Sequence, residues 1–199
     1  MSTITITPHG KFVVKAGHVG DAFVGRLFSD KPKAFRGHIL ESRGSTAIEA
    51  TEQVIADFDR AMAIAGSSRR LDSITGAEVP TRFEFETVLR MIDIPEHTVA
   101  LLGKLRAASA NQITVQDFAR VCHLASARDV IDGLEKLGAA ICRELECEVP
   151  AGMRYYMMLR IPTGEFPKDV ARLDLQPEFS ESLVTLQQGS KRSQSSHAA

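Results

Sequence analysis

The sequence predicts an α+β protein. An N-terminal three-stranded antiparallel sheet with one covering helix comes first. A helical segment follows, turns a tight corner and ends in a β-hairpin. Three observations carry this expectation. Before residue 45, short runs rich in Val, Phe and Ala are separated by turn residues. Further along, a hydroxyl precedes a carboxylate by three positions four times: Thr46/Glu49, Thr81/Glu84, Thr114/Asp117 and Ser126/Asp129. That spacing lets a side-chain oxygen and a carboxylate satisfy the free N–H groups of a helix's first turn. Finally, residues 141–149 alternate apolar residues with glutamates. Pro150-Ala151-Gly152 offers a turn, and 153–161 offers a returning strand.

Taken in order, 12–16, 22–28 and 35–41 read as the three strands, separated by Gly17–Asp21 and by Ser29-Asp30-Lys31-Pro32-Lys33. Thr46 then caps a helix whose apolar side holds Ala47, Ala50, Val54, Phe58, Ala61 and Ile64. These residues, 1–66, form one expected small domain. Residues 67–95 read as a linker carrying one helix, with Phe85, Val88, Leu89 and Ile92 at helical spacing and a break at 93–95. Pro95 suits the first turn of the next helix, over 96–108, with Val99, Leu101, Leu102 and Leu105.

Two short amphipathic helices then start twelve residues apart. The first carries Val115, Phe118, Ala119 and Cys122 on one side; the second carries Val130, Ile131, Leu134 and Leu137, with Gly138 placed to end it. Only Cys122–Ala125 lie between them, which is a helix-turn-helix spacing. After Pro162 the patterning fades, and 163–199 reads as a mostly irregular or disordered tail.

Composition narrows the function classes. The 199 residues are 44 % hydrophobic and 25 % charged, as in ordinary globular proteins. No apolar run reaches the roughly 18 to 20 residues of a membrane span, and the start shows no secretion signal. Cys122, Cys142 and Cys147 are odd in number, which fits free thiols in a reducing cytoplasm. On a strand, Cys142 and Cys147 would point to opposite faces. The six histidines show no metal spacing, and no phosphate loop, dinucleotide fingerprint or nucleophile elbow occurs. A non-enzyme without cofactor or metal is expected.

Helix, helix and a two-stranded ribbon over 96–162 resemble the winged helix-turn-helix domain of prokaryotic DNA-binding regulators. The segment Ser126-Ala-Arg128-Asp-Val130-Ile131-Asp-Gly-Leu134-Glu-Lys136-Leu137-Gly138 is similar to that family's recognition helix, and 152–159 to its second wing strand. Residues 1–66 distantly resemble HicB-like and double-stranded-RNA-binding-like modules, on Gly44-Ser-Thr46-x-x-Glu49-Ala50. The first resemblance implies a cytoplasmic transcriptional regulator, of a mobile element for instance, that binds double-stranded DNA as a homodimer. It implies that Ser126, Ala127, Arg128, Asp129 and Asp132 face the major groove, that Thr114 and Arg120 contact backbone, and that Arg154 reaches the minor groove or a phosphate.

The charge balance argues the other way. The chain has 24 Lys and Arg against 25 Asp and Glu, where strong nucleic-acid binders show a basic excess. Glu144, Glu146 and Glu148 would line one face of the expected wing and repel phosphate, unless Arg154 and Arg160 pair with them across the ribbon. The alternative is an adaptor or inhibitor whose acidic winged helix binds a basic protein partner of a nucleic-acid machine.

Overall fold

The computed structural model describes residues 4–30, 35–110, 113–160 and 174–195. Strands β1 (Thr5–His9), β2 (Phe12–Val19), β3 (Ala22–Ser29) and β4 (Leu40–Gly44) form one antiparallel sheet in chain order. The sheet therefore has four strands rather than three. The additional strand comes from the alternating Thr5-Ile6-Thr7, a half-exposed strand pattern at the sheet's edge. The strand expected at 35–41 begins at Leu40 instead, and Phe35 is buried in the helical part of the molecule. Two-residue loops join β1 to β2 and β2 to β3; each contains a glycine at positive φ, Gly10 at 57° and Gly20 at 67°.

Helix α1 (Ala47–Ser67) covers one sheet face. It starts where expected: Thr46 Oγ1 accepts from the Glu49 N–H at 3.1 Å. The sheet must be bare beneath it. A Cβ at Gly25 would lie 2.3 Å from Ala50 O, and one at Gly44 2.5 Å from Ala50 N. Val14, Leu27, Val54 and Phe58 fill the small core between sheet and helix.

The second core is larger and helical. Strands β5 (Arg70–Leu71) and β6 (Glu78–Val79) make a short hairpin inside the segment that reads as a linker. Helices α2 (Arg82–Met91), α3 (Glu96–Ala110), α4 (Val115–Val121) and α5 (Ala127–Leu145) follow. A 3-10 turn (Arg154–Met157), strands β7 (Leu159–Arg160) and β8 (Asp174–Leu175), and helix α6 (Pro177–Ser195) complete the order. Phe85 and Leu89 of α2, Leu102 and Leu105 of α3, Phe118 of α4, Leu134 and Ile141 of α5, Tyr156, and Phe179 and Leu183 of α6 are all fully buried in it.

Two further expectations are corrected here. The hairpin over 141–161 does not form. Helix α5 runs through Gly138 to Leu145, and 154–157 are helical. Val130, Leu134, Leu137, Ile141 and Leu145 extend one buried stripe at helical spacing, which outweighs the local alternation. Gly138 is present for close approach rather than to end the helix: a Cβ there would sit 2.7 Å from Arg154 O. The expected glutamate face is dispersed with the hairpin, since Glu144 lies on α5 and pairs with Lys11 at 2.5 Å. The only β pairing after α5 among the described residues joins Leu159 to Leu175 and Arg160 to Asp174.

The tail is also corrected, because α6 occupies 177–195. Phe179, Ser182, Leu183 and Leu186 fall at i, i+3, i+4 and i+7 and are all buried. The irregular tail expected over 163–173 and 196–199 lies outside the described residues.

Candidate nucleic-acid interface

The corner between α4 and α5 is built from local hydrogen bonds. Thr114 Oγ1 accepts from the Asp117 N–H at 3.0 Å and donates to the Asp117 carboxylate at 2.7 Å. Helix α4 ends when the Cys122 N–H bonds Phe118 O at 2.9 Å and the Leu124 N–H reaches back to Ala119 O at 2.9 Å. Between them His123 takes the left-handed conformation, φ 57°, which reverses the chain in few residues. Ser126 then opens α5 with a reciprocal cap. Its N–H and hydroxyl donate to the Asp129 carboxylate at 2.8 and 3.0 Å, and its hydroxyl accepts from the Asp129 N–H at 3.3 Å. Val115, Phe118 and Ala119 anchor α4 in the core beside Val130, Leu134 and Leu137 of α5.

The corner therefore projects α5's first turn into solvent. The Arg128 side chain is 87 % exposed, with Asp132 3.8 Å away. Arg120 is 75 % exposed and bonds Asp117 at 2.8 Å. Five of the residues singled out from the sequence are thus brought together: Thr114 and Arg120 at α4, and Ser126, Arg128 and Asp129 at the start of α5. Three of these have local duties, since Thr114 caps α4 and Ser126 and Asp129 cap each other. The remaining side chains able to reach outward with charge are Arg120 and Arg128, joined on α5 by exposed Lys136, eight residues on.

Arg154 lies elsewhere. Its carbonyl packs against Gly138, ten residues along α5 from Arg128, or about 15 Å at 1.5 Å per residue. Its guanidinium bonds Glu135 at 3.2 Å, and Glu135 also accepts the N–H groups of Gly152, Arg154 and Tyr155 at 2.9, 2.6 and 3.3 Å. One carboxylate on α5 thus fastens the 152–155 turn. The cross-strand partners expected for Arg154 are replaced by this helix residue.

A groove of about 760 Å³ runs beside the corner, between α3 and α5. Ile94, Leu101, Leu124 and Leu137 line its floor, and Lys104 and Lys136 are among its polar residues. Sequence reasoning missed it because its residues come from segments some thirty positions apart. Lys104 also donates to Val121 O at 3.4 Å, at the end of α4, where a positive charge is favoured.

The far end of α5 is held by a polar cluster in the supposed linker. Arg69 donates to Glu84 at 2.8 Å, to Glu78 at 3.4 Å and to Leu145 O, a terminal carbonyl of α5, at 2.6 Å. The Glu84 side chain is fully buried and also accepts from Thr81 N–H at 2.9 Å. Next to it, Arg70 bonds Glu178 at 2.7 Å, and buried Gln176 donates to Asp72 at 3.2 Å. Burial pushes the Asp72 carboxyl up, but the Thr75 N–H, the Gln176 amide, the Thr75 hydroxyl and the Ile74 N–H together hold it below the usual carboxylate range.

Among the described residues no group of three or more His, Cys, Asp or Glu is placed to hold a metal ion, and no helix is long and apolar enough to cross a membrane. Comparison with protein-family models, with curated proteins and with solved structures finds no match to this chain, so the reading of this corner rests on its own geometry.

Proposed function

We propose that the chain binds duplex DNA through the α4–α5 corner and acts as a transcriptional regulator. In this reading α3, α4 and α5 are the three helices of a winged helix-turn-helix. The observation that carries the reading is the exposed Arg128 in the first turn of a helix propped outward by a four-residue corner. Its guanidinium has the fork geometry for a guanine edge. Arg120 and Lys136 supply backbone charge nearby, and the free N–H groups of α5's first turn favour a phosphate. Three cations make a weak electrostatic footprint, so two copies acting on paired half-sites are part of the proposal.

The test is retention of genomic duplex fragments by the full chain at roughly 50 and 200 mM salt, a range over which phosphate-dependent binding falls steeply. Binding at low salt that weakens at high salt is expected. Arg128→Ala should abolish sequence preference while moving stability by no more than about 0.5 kcal/mol, as for an exposed surface change. No retention at low salt sinks the proposal.

A second reading has one observation in its favour. Both arginines of the corner already face carboxylates, Arg120 to Asp117 and Arg128 to Asp132. Such a balanced surface suits a basic protein partner, and copurification of one without DNA would select it.

A further inference from the structure

Helix α5 ends in a reversal that stacks two thiols. Glu146 takes the left-handed conformation, φ 53° and ψ 44°, and its N–H bonds Cys142 O. The Cys147 N–H also reaches Cys142 O, at 3.4 Å. This six-to-one bond past a left-handed residue is the Schellman closure, which sets the side chain two positions beyond the helix against the one three turn positions inside it. Here those two residues are Cys142 and Cys147, both half-buried and both free thiols. Both side chains pack against the same helical core. The sequence reading on a strand sent them to opposite faces; the helix end turns them toward each other.

We propose that Cys142 and Cys147 are a reversible dithiol–disulfide pair, oxidised by hydrogen peroxide. The Cys142 thiolate attacks one peroxide oxygen; an S–O bond forms, the O–O bond breaks, and the departing hydroxide takes up the proton that Cys142 released, leaving as water. Cys142 is then a sulfenic acid. The Cys147 sulfur attacks the Cys142 sulfur; an S–S bond forms, the S–O bond breaks, and hydroxide leaves with the Cys147 proton as a second water. Two thiols lose two electrons and two protons, and the peroxide gains both.

The surroundings assign the two roles. The adjoining Cys147 thiol, with the Arg154 guanidinium nearby, holds the Cys142 thiol below the usual thiol range. Cys147 is held above it, first by its Cys142 neighbour and then by burial. The lower-pKa thiol attacks the oxidant, and its neighbour resolves the product. Cys122 provides an internal reference, because burial pushes its thiol up and no second thiol adjoins it. The inference is independent of whether the α4–α5 corner binds DNA.

The experiment treats the folded full chain with hydrogen peroxide, alkylates the remaining thiols and digests with trypsin. Arg143 lies between the two cysteines, so cleavage separates 137–143 from 144–154 unless a disulfide joins them. The expected product is that joined pair, two hydrogens lighter than its parts and released by dithiothreitol, with Cys122 still alkylated. Cys142 should be consumed at least about tenfold faster than Cys122, as expected for the more acidic thiol. In Cys147→Ser, whose hydroxyl is close in size to the thiol, a 1,3-diketone reagent should capture a sulfenic acid at Cys142. Oxidation of Cys122 at the same rate, a bridge involving Cys122, or Cys142 oxidised in the unaltered chain without a bridge to Cys147 would each overturn the proposal.

Discussion

The two ends of α5 solve the same problem in different ways. A helix leaves free N–H groups at its start and free carbonyls at its end. At the start, Ser126 and Asp129 satisfy each other's N–H groups within four residues, and nothing distant is needed. At the end, Arg69 reaches Leu145 O from 76 residues away, and Glu78 takes the Glu148 N–H from 70 residues away. The self-contained end is free to face a partner. The other is tied to α2 and to the β5–β6 hairpin, so it is the fixed base from which the first projects.

The largest break in that contrast should come from Arg69→Ala. It removes the partner of a carboxylate, Glu84, that has no solvent exposure, and it frees the Leu145 carbonyl. Losing one member of a buried ion pair costs roughly 3–5 kcal/mol. The denaturation midpoint in urea should fall accordingly. Arg128→Ala, at the opposite end of the same helix, should leave it nearly unchanged. Equal effects would mean that the two ends are not differently anchored.

Two glycines within α5 sharpen the comparison further. Gly133, toward the free end, has nothing within 4 Å of an added Cβ, whereas Gly138, toward the fixed end, meets Arg154 O at 2.7 Å. Gly133→Ala should stabilise by about 0.5–1 kcal/mol, the ordinary helical preference for alanine. Gly138→Ala should destabilise by roughly 1–3 kcal/mol, because backbone has to move. Chemical denaturation of both variants gives opposite signs if the 152–155 turn is packed on α5 as described.

What was legible in the sequence follows the same division. The four capping sites were readable because a cap is decided within four residues, and Thr46, Thr81, Thr114 and Ser126 all cap as their spacing predicts. The Cys122–Ala125 corner was readable for the same reason. Gly138 was misread because its reason for being glycine is a carbonyl sixteen residues away. Ile141 and Leu145 fit both a strand alternation and a helical stripe, and only the preceding Val130, Leu134 and Leu137 decide between them. The Arg69 cluster was invisible because a turn-rich stretch gives no sign that its arginine will cap another helix. The open corner was found and the thiol pair was not, since the first is local and the second depends on how α5 ends.

The smallest effect concerns that ending. Glu146 has a left-handed backbone that costs a non-glycine residue roughly 1–2 kcal/mol. Its side chain is exposed, and among the described residues no hydrogen bond or ion pair to it accounts for the choice of glutamate. Glycine there relieves the steric cost but gives the unfolded chain more freedom, so Glu146→Gly should stabilise by only about 0.5–1 kcal/mol. Thermal unfolding would register that as a small rise in Tm. The equivalent change at His123, the other left-handed non-glycine residue among those described, acts on the corner at the free end instead. If the fixed end is held by Arg69 and Glu78, relaxing Glu146 changes stability alone, whereas relaxing His123 loosens the angle at which Arg128 is presented and should weaken DNA retention as well.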